Sequence, residues 1–136
     1  MEPEDSRELL FTKEFEEAKC LTLSEVSILL NQTTQRRTQD KISAPQSDVF
    51  LKVKEYANRF ARFQNSKEYV REIRRLLNRR NLHEFEIASL VNLCPGNAEE
   101  AITLIPSLRR LDEQTIQEII DDLDVFAMQQ DEAEED

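Results

Sequence analysis

The side chains to weigh first for chemistry are a lone histidine, His83, two cysteines, Cys20 and Cys94, and the acidic cluster Asp121, Asp122 and Asp124. A covalent catalyst needs a nucleophile within reach of a base, and His83 has no serine or cysteine beside it in a recognisable nucleophile motif. Gly96 is the only glycine, so no glycine-rich loop can cradle a phosphate. The three aspartates lack the glycine and the spacing of a calcium loop, and as near neighbours on a helix they point in different directions. Neither cysteine has C-x-x-C spacing or a local histidine, and both are read as reduced thiols of a chain from the reducing interior. No catalytic, cofactor-binding or metal-ligating residue is therefore predicted. His83 is read as a helix-start residue before Glu84.

Arginines offer a different chemistry. Arg71, Arg74, Arg75, Arg79 and Arg80 form a basic set whose spacings place Arg71, Arg74 or Arg75, and Arg79 along one side of a helix, opposite Ile73, Leu76 and Leu77. Such a ridge could track nucleic-acid phosphates, which makes the chain, on one reading, an independent nucleic-acid-binding helical adaptor. The competing reading pairs these arginines internally with acids of the last helix such as Asp121 and Asp122. No aromatic platform interleaves the ridge, and the net charge of −10 works against a polyanion. Weak backbone attraction is expected rather than base recognition.

The elements that would position these groups are helices. One glycine and four prolines in 136 residues cannot supply the turns of a β-rich fold. The most explicit element is the corner within Leu82–Leu108, LHEFEIASLVNLCPGNAEEAITLIPSL. Pro95 lacks a backbone N–H and drives Cys94 out of helical dihedrals, so one helix should stop near Leu93. Gly96 lets the chain turn, Asn97 with Glu100 makes a capping-box-like start, and Pro106 closes the second helix after Ile105. Phe85 and Leu104 are expected on its buried face.

Thr22, with Glu25 three residues on, starts an earlier helix carrying Val26, Leu29 and Leu30, with Leu21 facing Val26 as a hydrophobic staple. Asn31 to Gln46 is polar and aperiodic and reads as a helix end plus a loop. A stripe of Val49, Phe50, Val53, Tyr56, Ala57, Phe60 and Ala61 marks a helix over about 47–64. Asn65 with Glu68 opens another, and Asp112 a last one reaching Phe126. The fold class is all-α: a five-helix bundle over 47–127, preceded by a unit over 1–46 (arm, first helix and polar loop) and followed by an acidic tail over 128–136, disordered by composition.

Leu9, Leu10, Phe11 and Phe15 form a short apolar run within the arm. Read as a strand, the run has no partner strand in this chain, so it would add to another protein's sheet or pack as an extended arm. The plain alternative is that it covers the chain's own core. Leu9, Leu10, Phe11, Phe15, Val26, Leu29 and Leu30 are the predicted partner-binding residues. Charge is strongly asymmetric. Residues 52–80 hold ten Lys/Arg against three Glu, whereas 81–136 hold two Arg against fifteen Asp/Glu. Such a field can orient a partner. No apolar run is long enough to span a membrane, and the acidic N-terminus does not read as a signal peptide.

Four segments in order resemble one family: LLFTKEFEEAKCLTLSEVSILL (Leu9–Leu30), VFLKVKEYANRFARFQN (Val49–Asn65), the corner with its L-x-x-F-E, N-L-C-P, E-E-A and L-I-P-S-L elements, and DEQTIQEIIDDL (Asp112–Leu123). They are similar to the small helical stalk subunit of RNA polymerase II, related to a helicase-and-RNase-D C-terminal-like bundle. The family's C-terminus often ends in a basic-aromatic segment, and this chain departs from it by ending in acid. The resemblance implies a nuclear, non-catalytic subunit without cofactors. It implies a heterodimer with an OB-fold subunit, docked on the polymerase core and supporting initiation and RNA guidance, with RNA contact mainly on the partner.

Overall fold

The computed structural model describes residues 3–41, 45–63 and 67–135, the side chains of 131 and 133–135 excepted. Seven α-helices lie among them: α1 (Lys13–Glu17), α2 (Leu23–Gln39), α3 (Asp48–Phe60), α4 (Lys67–Asn78), α5 (Glu84–Leu93), α6 (Ala98–Leu104) and α7 (Glu113–Glu135). Short 3₁₀ turns occupy Ser6–Glu8 and Pro106–Arg110. The all-α expectation holds.

Helix starts follow the capping chemistry. Thr22 Oγ1 accepts from the Glu25 N–H at 3.2 Å, and Glu25 Oε1 accepts in return from the Thr22 N–H at 2.9 Å. His83 caps α5 through Nδ1, which accepts from the Phe85 N–H, while Glu86 Oε1 accepts from the His83 N–H at 2.8 Å. The expected start at Asn65 lies outside the described residues, and α4 begins at Lys67.

The corner forms as the spacing predicts, with one shift. Cys94 takes the left-handed conformation (φ 45°) as the C-cap of α5, so the turn's positive φ falls there and not on Gly96. Asn97 Oδ1 accepts from the Glu100 N–H at 2.9 Å, but Glu100 Oε2 reaches past Asn97 to the Gly96 N–H, also at 2.9 Å. Gln117 on α7 accepts from the Ala98 N–H at 3.0 Å, which ties the start of α6 to the last helix.

The core is built downstream of α3. Phe63, Ile73, Leu77, Ile87, Leu90, Ala101, Leu108, Ile116, Ile119 and Ile120 are buried together between α4, α5, α6 and α7. Helix α3 contributes only Ala57 to the buried set, joined by its C-cap Ala61, and neither belongs to that cluster. Instead α3 lies antiparallel to α2, matched at Ser27–Asn58 and Thr34–Gln46, with the Phe63 N–H on Ser24 Oγ just beyond its end. The two helices make a hairpin laid on a four-helix core, so the packing does not break at residue 46. Helix α2 extends to Gln39, deep into the polar stretch.

The acidic end differs from the compositional expectation of disorder: α7 continues to Glu135. Two anchors hold it past the core. The Tyr69 hydroxyl donates to the Phe126 carbonyl, with the rings edge-on at 5.2 Å, and Gln130 Nε2 donates to the Arg62 carbonyl at 2.9 Å. The segment also lacks glycine and proline and is rich in good helix formers.

Candidate partner-binding surfaces

Instead of running extended, the N-terminal arm folds back. Asp5 and Leu10 exchange both backbone hydrogen bonds at 2.9 Å as an isolated antiparallel pair, with Leu9 in the left-handed region (φ 57°). Asp5 Oδ1 also accepts from the Arg7 N–H, which closes the turn. Phe11 then packs on Phe15, His83 and Phe85 at ring separations of 4.6, 5.0 and 5.3 Å. Phe15 lies nearly parallel to His83, and Glu16 sits 3.4 Å from His83 Nε2. With Nδ1 accepting from a backbone N–H, the ring proton belongs on Nε2, facing that carboxylate. The arm thus covers the start of α5, because Phe11 and Phe15 find aromatic partners within their own chain. Leu10 and Phe15 stay exposed and Leu9 and Phe11 half-buried.

Helix α2 is packed with its polar side inward. Ser24 and Ser27 are buried, and Ser27 Oγ and Asn31 Nδ2 both donate to Asn58 Oδ1 on α3. Leu29 is 48% exposed and Val26 and Leu30 half-buried. Leu29 borders a shallow groove with Leu21, Ile28 and Val70, rimmed by Lys67 and Arg71. The same inversion governs α3. Val49 (72% exposed), Val53, Tyr56 (56%) and Phe60 follow one another at helical spacing on an open face. Of the apolar stripe marked in the sequence, Ala57 and Ala61 are buried while these four larger side chains stay exposed. Helix–helix pairing through small and polar residues, with large apolar ones left outside, is characteristic of a surface made to be covered.

The arginine ridge divides. Arg74 is spent internally: its guanidinium donates to Glu25 at 2.7 and 2.9 Å, to Glu84 at 2.9 Å and to the Cys20 carbonyl at 2.6 Å. Burial works to raise the Glu25 carboxyl, but hydrogen bonds from Arg74 and then Thr22 outweigh it and leave the group below its usual value. Arg80 pairs with Asp122 at 2.8 Å and Glu118 at 3.2 Å on α7, the internal pairing weighed against the ridge. Arg75 pairs with Glu72 one turn back on the same helix. Arg71 and Arg79 remain exposed and without an ion pair among the described residues.

One hub was not legible in the sequence. Glu86 is fully buried, and its carboxylate accepts from Arg110 at 2.6 and 2.7 Å, from the Ser107 hydroxyl and from the His83 N–H. Arg110 also donates to the Asn81 carbonyl at 3.0 Å. The S-L-R-R end of the corner therefore clamps the start of α5, which is where the arm lies. Glu86 three residues after His83 was a visible capping signal, but Arg110 is distant in sequence. Burial holds the Cys94 thiol above its ordinary value, which disfavours a reactive thiolate. Among the described residues no cluster of His, Cys, Asp or Glu could hold a metal ion, and no helix is long and apolar enough to cross a membrane.

Known proteins give this arrangement a relationship. The family described as RNA polymerase Rpb4 matches residues 20–127, which takes in the α2–α3 hairpin and the core and leaves the folded-back arm outside. A Dictyostelium discoideum protein named DNA-directed RNA polymerase II subunit rpb4 is 36% identical over 137 residues, covering 90% of this chain and 88% of the relative. DNA-directed RNA polymerase II subunit 4 of Arabidopsis thaliana is 39% identical over 129 residues, covering 90% and 92%. The rpb4 subunit of Schizosaccharomyces pombe is 41% identical over 130 residues, covering 94% and 95%. The chain belongs to the RNA polymerase Rpb4 family.

Proposed function

We propose that the chain is a non-catalytic subunit of nuclear RNA polymerase II, forming the stalk heterodimer with an OB-fold subunit and supporting initiation and RNA guidance. The observation that carries this reading, beside the family, is the inverted α2–α3 hairpin. Ser24, Ser27, Asn31 and Asn58 face inward while Leu29, Val49 and Val53 face solvent. Each such side chain, once covered, contributes about 1.5–3 kcal/mol before ordering costs. The residues with a partner role are Leu9, Leu10, Phe11, Phe15, Val26, Leu29 and Leu30. The arm reaches its partner by leaving the aromatic seat on His83 and Phe85, exchanging the Asp5–Leu10 pair for pairing with a sheet edge.

Co-expression with the OB-fold subunit tests the reading. A one-to-one complex should survive size-exclusion chromatography, and Leu29→Asp should weaken it while leaving the helical circular dichroism intact. Leu10→Asp combined with Phe11→Asp should weaken it further. A complex indifferent to all three substitutions would remove the arm and α2 from the interface.

A further inference from the structure

A groove of about 790 Å³ runs between the C-terminal half of α3 and the end of α5, away from the arm. Its apolar lining comes from Leu23, Tyr56, Phe60 and Leu93, and its only charged lining groups are Arg59 and Arg62. No carboxylate lines it, and neither arginine has an ion pair among the described residues. In a chain of net charge −10, this is an acid-free apolar trough with a cationic rim.

We propose that this groove binds an acidic amphipathic peptide segment of another protein, carboxylates on Arg59 and Arg62 and apolar side chains against Tyr56, Phe60 and Leu93. Charge complementarity selects the occupant. Guanidinium groups take carboxylates in paired hydrogen bonds, and an apolar floor strengthens such pairs by excluding water. The acid-rich remainder of the chain repels the same segment, so the contrast gives selectivity as well as attraction. Ring geometry disfavours single-stranded nucleic acid. The Phe60 ring carries the Arg59 guanidinium 5.4 Å from its centroid and meets the Tyr56 ring at 4.7 Å, tilted by 44°. That ring already has two neighbours from its own chain, which compete with a base for stacking. Tyr56, Phe60 and Leu93 are each about half exposed, which suits aliphatic or aromatic side chains.

The test uses a fluorescent synthetic peptide roughly five helical turns long, with leucine and phenylalanine on one face and glutamate elsewhere. Its anisotropy is followed against the full chain alone and against the chain bound to the OB-fold subunit. Saturable binding is expected in both settings, weakening with salt. A fall of about tenfold or more is expected for Arg59→Glu combined with Arg62→Glu, and for Phe60→Ser. These positions are exposed, and unchanged helical circular dichroism would certify the fold. The same peptide with lysine replacing glutamate should not bind. Absence of binding, equal binding of the lysine peptide, or indifference to the double charge reversal would each overturn the proposal. Tighter binding of oligouridylate, lost in the same variants, would overturn it in favour of nucleic acid. Binding to the free chain that disappears in the heterodimer would assign the groove to the stalk interface. The free-chain arm does not depend on heterodimer formation, so failure of the stalk reading and failure of this one are separable.

Discussion

Arg74 and Glu86 show how individual residues hold this molecule together. Each is a charged group taken partly or wholly from water and repaid by several hydrogen bonds, an arrangement that tolerates loss of one member badly. Arg74→Met should destabilise the chain by about 2 kcal/mol, because Glu25, Glu84 and the Cys20 carbonyl lose their shared donor while remaining partly open to solvent. Denaturant unfolding measures this directly, and a loss near zero would mean water replaces the guanidinium freely. Glu25 adds a pH signature. Its folded carboxyl titrates below the usual carboxylate value, so its contribution is fully present above the unfolded value of about 4.3 and is lost as pH falls through the folded one. The gap in melting temperature between wild type and Glu25→Gln should therefore be widest near neutral pH and narrow on the acid side. A gap unchanged down to strongly acidic pH would contradict the pairing. The local partners of these groups were legible, since Thr22–Glu25 and His83–Glu86 follow the capping spacing. Their distant partners were not, because nothing in a sequence pairs residue 25 with 74 or 86 with 110.

Helix boundaries set by proline or by capping side chains fell where the sequence placed them, at Thr22, Leu93 and Asn97. Helix α3, read from periodicity alone, stops at Phe60, short of the expected end near residue 64. Inside and outside were harder to assign. The stripe on α3 was recognised, but periodicity reports only that a helix has an apolar face and is silent on what covers it. Leu104, expected in the core, is about half exposed, whereas Phe85 is half-buried beneath Phe11. Asn97→Ala should thus cost about 1 kcal/mol through the lost cap of α6. Leu104→Ala should cost less than that, well short of the ~2–5 kcal/mol of a buried leucine. Thermal unfolding of the two variants side by side distinguishes these expectations, and the reverse order would mean Leu104 is covered in solution. The arm was the element least determined by local signals. Its apolar run fits either a strand or a fold-back, and the choice depends on His83 and Phe85, which lie far along the chain. For α7, composition suggested that order ends near residue 128. Two long-range contacts, from Tyr69 and Gln130, carry the helix onward.

At the scale of the whole molecule, a compact α4–α7 core displays a hairpin and an arm whose large apolar side chains exceed what the core requires. The charge asymmetry has partly internal uses: Arg80 joins α4 to the acids of α7, and Arg74 ties α4 to α2 and α5. What remains outward is a predominantly acidic surface interrupted by apolar patches with scattered cations, which fits protein partners better than a nucleic-acid backbone. Such a chain is expected to self-associate when made alone and to behave as a defined species when its faces are covered. The most direct test of the central claim is affinity purification of the tagged chain from its own cells at moderate salt, with mass spectrometry of what accompanies it. The account predicts an OB-fold subunit in one-to-one ratio together with the large subunits of RNA polymerase II. A chain recovered alone, or with RNA and no polymerase, would contradict it.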